Sequence, residues 1–202
     1  MKDQGSCAAG WAFAAVSAIE SSHCIREGDL QVLSEQHVLD CTADYGNVGC
    51  TGGTYYNAWK YATIAGLMTE KDYGWKKQVQ KCSYDASKGK VSTMMPNPYV
   101  QIYSNSDYMM EAVDEAPAAV MVNASSRTFR HYRRGVISHG CGSPSAVNHS
   151  VTVVGYNNKV AQPHPANWIV RNSYGSRWGE SGYVRIAMAG SRGVCGINQY
   201  MT

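Results

Sequence analysis

The chain has 202 residues, of which 44% are hydrophobic and 16% charged, so it is neither disordered nor fibrous and fits one large domain or two small lobes. Its formal net charge of +3 is small and no basic run stands out, so we expect no nucleic-acid partner. The apolar stretches are too short for a membrane-spanning helix, and the first residues lack the pattern of a signal peptide.

The first half of the sequence predicts helices. Gly28 and Gly66 end the first and the third of them, and Ser34 is the predicted N-cap of the second. Residues 71–98 are polar and predict a loop. The helices are predicted, in chain order, over Trp11–Arg26, Gln36–Cys41 and Tyr55–Ala65.

The second half predicts strands, with one short helix near Tyr108–Glu115. The segregation of helices from strands indicates an α+β fold with a lobe boundary near residue 95. We therefore expect one domain over 1–202, with a helical lobe at about 1–95 and a β lobe at about 96–202. The strands are predicted over Tyr99–Tyr103, Ala118–Val122, His149–Tyr156, Asn167–Asn172 and Gly182–Ala187.

The seven cysteines have no pair at zinc-ligand spacing, so we predict no metal site. Their wide separation suits long-range disulfides and an oxidising compartment. An odd count leaves one thiol over, and Cys24 lies in an apolar helical segment. We expect Cys24 to be a buried, unpaired thiol rather than an intermolecular link.

Five segments resemble, in order, the sequence motifs of papain-like (cathepsin L-type) cysteine peptidases. They are Gln4–Phe13, Gly49–Gly53, Asn148–Tyr156, Asn167–Gly175 and Trp178–Tyr183. The resemblance runs from one end of the chain to the other. It implies a papain-like two-lobe fold, with a mostly helical N-terminal lobe, an antiparallel β-barrel-like C-terminal lobe and an active-site cleft between them. It also implies further residues beyond both ends, so we expect a truncated domain.

By this resemblance, Gln4 is the oxyanion-hole donor, His149 the base and Asn172 the residue that orients the imidazole. A thiol attacks only as the thiolate, which a helix N-terminus and an imidazolium stabilise. The family's nucleophilic cysteine directly precedes Trp-Ala-Phe, and Gly10 stands there in this sequence. Glycine has nothing to ionise or acylate, so the resemblance implies a chain that is not an active enzyme.

Three further positions depart from the family pattern, since Ala8 and Ala9 replace the usual Gly and Ser and Tyr174 replaces a Trp. These departures favour a natural pseudoenzyme over a peptidase inactivated by an engineered Cys-to-Gly substitution. A cysteine at position 10 in the native transcript would establish the engineered alternative. The resemblance pairs Cys7 with Cys50, Cys41 with Cys82 and Cys141 with Cys195. It lines the substrate cleft with Gly52, Gly53, Thr54, Tyr55, Met121, Ser150, Trp178 and Tyr200.

The predicted function is therefore non-catalytic binding of a peptide, protein or other ligand, without a cofactor. The alternative is a structural subunit of a larger assembly, which a large exposed apolar or Tyr-rich patch would favour. The family and the disulfides imply a lysosome-like, vacuolar or secreted setting. Reduced cysteines would instead indicate a cytosolic or assembly-bound protein.

Two glycosylation sequons are present, Asn123-Ala124-Ser125 and Asn148-His149-Ser150. The resemblance places the second in the cleft, so we expect Asn148 to be unmodified. Asn123 is a candidate for modification if the chain enters a secretory lumen.

Overall fold

The computed structural model describes residues 1–89, 105–159 and 165–201. The chain divides into two compact units. The helical unit is Gln4–Val100, and the sheet unit combines Met1–Asp3 with Gln101–Thr202. The predicted strand Tyr99–Tyr103 and the predicted lobe boundary near residue 95 lie outside the described residues.

The helical unit contains three α-helices, each at or within one residue of its predicted start. They are α1 (Gly10–Glu27), α2 (Glu35–Cys41) and α3 (Tyr55–Ala65). Short 3-10 turns lie at Ala43–Tyr45, Gly49–Thr51 and Ala86–Lys88, the last of them within the segment predicted as a loop.

Local chemistry explains where these helices begin and end. The Ser34 hydroxyl accepts a hydrogen bond from the His37 amide at 2.9 Å, which caps α2. Thr54 caps α3 in the same way, through the amide of Asn57 at 3.2 Å. Gly28 ends α1 with a φ of +70°, a left-handed conformation that glycine adopts without steric cost.

The first half of α1 is buried on nearly every side, so this helix forms the centre of the helical unit. Helix α3 packs against it, and the Trp59 indole donates a hydrogen bond to the Ala15 carbonyl at 3.1 Å. Two disulfides, Cys7–Cys50 and Cys41–Cys82, tie the segments around α2 to the rest of this unit.

The sheet unit carries two helices, α4 (Ser106–Glu115) and α5 (Arg127–Arg130), and a five-stranded sheet ordered β1-β3-β4-β5-β2. The predicted strands are present where the structure describes them, and neither α5 nor β2 was predicted. The strands are β1 (Ala118–Val122), β2 (Val136–Ile137), β3 (His149–Asn157), β4 (Asn167–Arg171) and β5 (Tyr183–Ala187).

The sheet departs in one respect from the antiparallel, barrel-like lobe that the resemblance implied. Strands β1, β3, β4 and β5 pair antiparallel, but β2 pairs parallel to β5. A parallel pair needs a crossover connection, and β3 and β4 lie between β2 and β5 along the chain. Within the described residues the sheet is open, with β1 and β2 at its edges.

The core of the sheet unit lies against the aliphatic and aromatic side chains of β3, β4 and β5. Trp168 and Val170 of β4 are fully buried, as are Met109 of α4 and Phe129 of α5. The disulfide Cys141–Cys195 lies in the same cluster. This core holds the N-terminal end of β3, where His149 lies, in a defined position.

Candidate functional site

The predicted site residues fall in both units. The helical unit carries Gln4, Gly10, Gly52, Gly53, Thr54 and Tyr55. The sheet unit carries Met121, His149, Ser150, Asn172, Trp178 and Tyr200.

Gly10 is the first residue of α1 and is buried. The preceding residue, Ala9, provides no side-chain cap, and the first turn contains no acidic residue. Helix N-termini carry unsatisfied N–H groups and a partial positive charge, which favour an anion. Gly10 does not have a positive φ, so its backbone conformation is open to any L residue.

Gln4 lies close to this helix start along the chain and is buried, at 6% exposure. Its amide nitrogen donates a hydrogen bond to the Cys7 carbonyl at 2.7 Å. The Cys7–Cys50 disulfide and a hydrogen bond from the Ala8 amide to the Cys50 carbonyl at 3.2 Å hold the intervening segment. The residues before α1 therefore have a fixed conformation.

The glycine pair after Cys50 has a steric explanation. A Cβ on Gly53 would lie 2.7 Å from the Trp11 ring and 2.7 Å from Asn47 Oδ1, so no larger side chain fits there without rearrangement. Gly52 has a φ of +145° and nothing within 4 Å of its Cβ position, so this part of the chain is open. Asn47, which sequence reasoning missed, accepts a hydrogen bond from the Thr54 amide at 2.8 Å.

Thr54 and Tyr55 have structural roles in the helical unit. Thr54 is the N-cap of α3, so its hydroxyl is engaged by the backbone. Tyr55 is buried and contacts Trp59, with 5.3 Å between their ring centroids.

His149 and Asn172 are brought together in the sheet unit. His149 Nε2 donates to Asn172 Oδ1 at 2.8 Å, and the same oxygen accepts from the Ser173 amide at 2.8 Å. Because an amide oxygen only accepts, the His149 proton lies on Nε2 and the lone pair on Nδ1. Asn172 Nδ2 is buried with no hydrogen-bond partner among the described residues.

Burial lowers the pKa of His149 to about 4, and the hydrogen bond to Asn172 opposes this shift. Tyr174 stacks on the imidazole, with 4.9 Å between centroids and 25° between planes. Sequence reasoning noted Tyr174 as a departure from the family but did not place it at the site. The stack helps to bury the ring and so favours neutral imidazole.

Trp178 lies edge-on to Tyr174, with ring centroids 5.5 Å apart. Its indole donates a hydrogen bond to the Arg130 carbonyl at 3.1 Å, and Phe129 of α5 packs beside it. Trp178 is thus held near the histidine pair by α5, an element that the sequence did not predict.

The remaining predicted residues of the sheet unit are also neighbours. Met121 of β1 pairs with Ser150 of β3, and the Met121 amide donates to the Tyr200 carbonyl at 3.2 Å. Ser150 is buried, whereas the Tyr200 residue is 56% exposed.

Six of the seven cysteines form disulfides. The three disulfides are the pairs that the resemblance implies, and Cys24 is unpaired but only partly buried, not fully buried as expected. Over residues 1–89, 105–159 and 165–201, no group of three or more His, Cys, Asp or Glu residues could hold a metal ion. In the same ranges, no helix is long and apolar enough to cross a membrane.

A family model described as papain family cysteine protease matches residues 1–202. The chain belongs to the papain family. Macrodontain-1 of Ananas macrodontes is 38% identical over 206 residues, covering 98% of this chain and 88% of that protein. Cysteine proteinase RD21A of Arabidopsis thaliana is 38% identical over 200 residues, but the chain spans only 42% of its length.

The papain-like α+β fold is shown by solved structures as well. The bromelain protease from Ananas comosus, solved in complex with the E64 inhibitor, is 34% identical with a TM-score of 0.84. That match covers 100% of this chain and 90% of the other. Papain-family membership and three disulfides together suggest a vacuolar or secreted compartment.

Proposed function

We propose that this chain is a papain-family protein without peptidase activity that binds a peptide or protein segment without cleaving it. The observation that carries the proposal is Gly10. In the family motif the cysteine directly before Trp-Ala-Phe is the nucleophile, and here that position has no side chain. Loss of a nucleophile in other triads lowers turnover by about a million-fold.

No other thiol of the described chain can replace the missing one. Cys7 is engaged in a disulfide with Cys50. Cys24 is free but lies farther along α1, about 20 Å from Gly10 at the rise of 1.5 Å per residue. The N-terminus of α1 could stabilise a thiolate, but it carries none.

The state of His149 supports the same conclusion. In a thiol peptidase the thiolate stabilises an imidazolium beside it, which raises the pKa of the histidine. In this chain burial lowers the pKa of His149 to about 4. His149 is then neutral at mildly acidic pH, so neither half of the reactive ion pair is present.

Two features support peptide binding. The backbone at Gly52 is open, since nothing lies within 4 Å of its Cβ position, and an extended peptide can pair with exposed backbone groups. Met121 of β1 and Ser150 of β3, two of the predicted cleft residues, are register partners in the sheet. Ser150 adds a hydroxyl at a position where the family usually has alanine, which favours a more polar ligand side chain.

The test compares the native chain with the revertant Gly10→Cys on short fluorogenic peptides, at mildly acidic pH with the disulfides intact. We expect the native chain to be silent and the revertant to cleave, because Gln4, His149 and Asn172 are present. Adding His149→Ala to the revertant should abolish its activity. A Cys24→Ser background removes the only other unpaired thiol, so that labelling with a thiol reagent reports position 10 alone.

The peptide that the revertant cleaves best is then labelled, and its binding to the native chain is measured by fluorescence anisotropy. Saturable binding without turnover is the expected result. Cleavage by the native chain would contradict the proposed inactivity. An active revertant combined with no binding by the native chain would contradict the proposed binding role.

A second candidate function, a structural subunit, is favoured by three exposed apolar residues near the end of α1. Ile25, Leu30 and Val32 are 60%, 60% and 50% exposed. This function predicts that the chain elutes from native extracts in a large complex. Leu30→Ser should then release the chain from the complex, whereas His149→Ala should leave the chain in the complex.

A further inference from the structure

The asparagines of the two glycosylation sequons of the sheet unit differ sharply in exposure. Asn123, the candidate for modification, is only 5% exposed. Asn148, expected to be unmodified, is exposed at the surface. An N-linked glycan is bulky and hydrated, so its asparagine must lie at the surface of the folded protein.

Both amide atoms of Asn123 are engaged inside the fold. Its Nδ2 donates to the Ser143 carbonyl at 2.9 Å, and its Oδ1 accepts from the Ser125 amide at 3.1 Å. A bulky, hydrated sugar on Nδ2 would have to leave this buried position, which has no room for it inside the fold. We therefore expect no glycan at Asn123 in folded protein.

Asn148 is oriented by two bonds that leave a site for a sugar. Its Oδ1 accepts from the Ala124 amide at 3.0 Å, and its Nδ2 donates to the Ser125 hydroxyl. An amide nitrogen has two hydrogens, so one remains for replacement. The neighbouring residues Ser125, Ser145 and Ala146 are exposed as well.

We infer that Asn148 carries an N-linked glycan when the chain passes through a secretory lumen. The three disulfides support such a route, because they form and persist in oxidising compartments. Ser150, at the position of the usual family alanine, completes this sequon. Ser150 is buried and paired with Met121, so the sequon has to be recognised before β3 pairs with β1.

The reaction uses a lipid-linked pyrophosphate oligosaccharide as the sugar donor. A bond forms between Asn148 Nδ2 and the anomeric carbon of the first N-acetylglucosamine. The bond from that carbon to the pyrophosphate oxygen breaks, and the lipid pyrophosphate leaves with the electron pair. One Nδ2 proton passes to a base of the transferase, and the second still serves the bond to Ser125.

The test directs the chain into the secretory pathway of a eukaryotic cell and treats both secreted and retained protein with peptide N-glycosidase. We expect one glycan, which the enzyme removes while converting Asn148 to aspartate in peptide mass spectra. Asn148→Gln and Ser150→Ala should both lose the glycan. Ser150→Ala restores the usual family residue and leaves the Asn148 side chain in place.

The matched control is Ser125→Ala, which destroys the first sequon but keeps the backbone bond to Asn123. This variant should retain the glycan, and Ser150→Thr should retain it too. A wild-type chain without a glycan in both fractions would overturn the inference. So would a glycan that disappears in Ser125→Ala and persists in Ser150→Ala.

Discussion

Replacing His37 with asparagine is expected to remove much of the acid sensitivity of the helical unit. His37 is fully buried, with ring centroids 5.1 Å from Tyr84 and 5.5 Å from Tyr73 in stacked arrangements. Its Nδ1 accepts from the Met68 amide at 3.2 Å, so the proton lies on Nε2, which donates to the Tyr61 hydroxyl at 2.8 Å. Protonation of Nδ1 would break the bond to Met68.

The magnitude follows from the pKa of His37, which burial lowers from 6.5 to about 4. Between these two values the unfolded chain binds a proton that the folded chain does not bind. The free energy of unfolding therefore falls as the pH falls from 6.5 to 4, by about 1.4 kcal/mol per pH unit. The loss reaches about 3 kcal/mol near pH 4, and below that pH the contribution of His37 stops growing.

The assay is urea unfolding of the wild type and His37→Asn at several pH values from 7 to 4, with disulfides intact. The asparagine oxygen can still accept from the Met68 amide but does not titrate. At pH 7 the variant should be less stable because it loses the stacked ring and the bond to Tyr61. That deficit should shrink by about 3 kcal/mol by pH 4.

His131→Asn is the control for a histidine-to-asparagine exchange at an exposed position. His149 is buried with a pKa lowered in the same direction, and it contributes equally to wild type and variant. A stability difference between wild type and His37→Asn that does not change with pH would refute the reasoning.

Two further predictions concern packing and charge. Glu180→Gln should lower the free energy of unfolding by about 1 kcal/mol at pH 7, because Glu180 accepts two hydrogen bonds from Arg185, at 2.9 and 3.1 Å. The effect is small because the Glu180 side chain is 31% exposed. The Arg185 guanidinium lowers the pKa of Glu180, so this stabilisation is fully present above the usual glutamate pKa and is lost as the pH falls through the lowered pKa. Urea unfolding at pH 7 and at pH 3 should therefore show a smaller deficit of the variant at pH 3. Gly53→Ala should lower the free energy of unfolding by about 1–3 kcal/mol, because the Cβ of the new alanine would lie 2.7 Å from the Trp11 ring. Gly74→Ala meets nothing closer than 3.6 Å and should unfold like the wild type; equal melting temperatures for the two glycine variants would contradict the packing argument.

Local signals predicted much of the fold. Ser34 was identified as a cap because a serine before a helical segment can accept from the amide three residues later, and this bond is present. Gly28 ends α1 for an equally local reason. Strand β2 was missed because Val136–Ile137 has too few residues for a period-two pattern and is defined by pairing with distant β5.

The sequence predicted which residues form the candidate site but not the burial and packing around them. The motifs marked His149 and Asn172, but the pKa of His149 is lowered by burial, which the motifs do not specify. The stacking of Tyr174 on His149 likewise follows from tertiary packing. The sequence could not give the exposure of the two sequons, because a sequon specifies a recognition motif and not a degree of burial.

The well-formed His149–Asn172 pair has a physical explanation that does not require catalysis. Asn172 Oδ1 accepts from both the His149 ring and the Ser173 amide. Deleting the Asn172 side chain would leave the buried His149 Nε2 without its acceptor, at a cost of about 1–3 kcal/mol, and deleting His149 would remove one of the two donors to Asn172 Oδ1. Stability alone therefore opposes substitution of these two residues, whereas Gly10 has no side chain whose bonds must be maintained. The pair is accordingly weak evidence for a retained function, and peptide binding by the native chain has to be measured directly rather than inferred from the activity of the revertant.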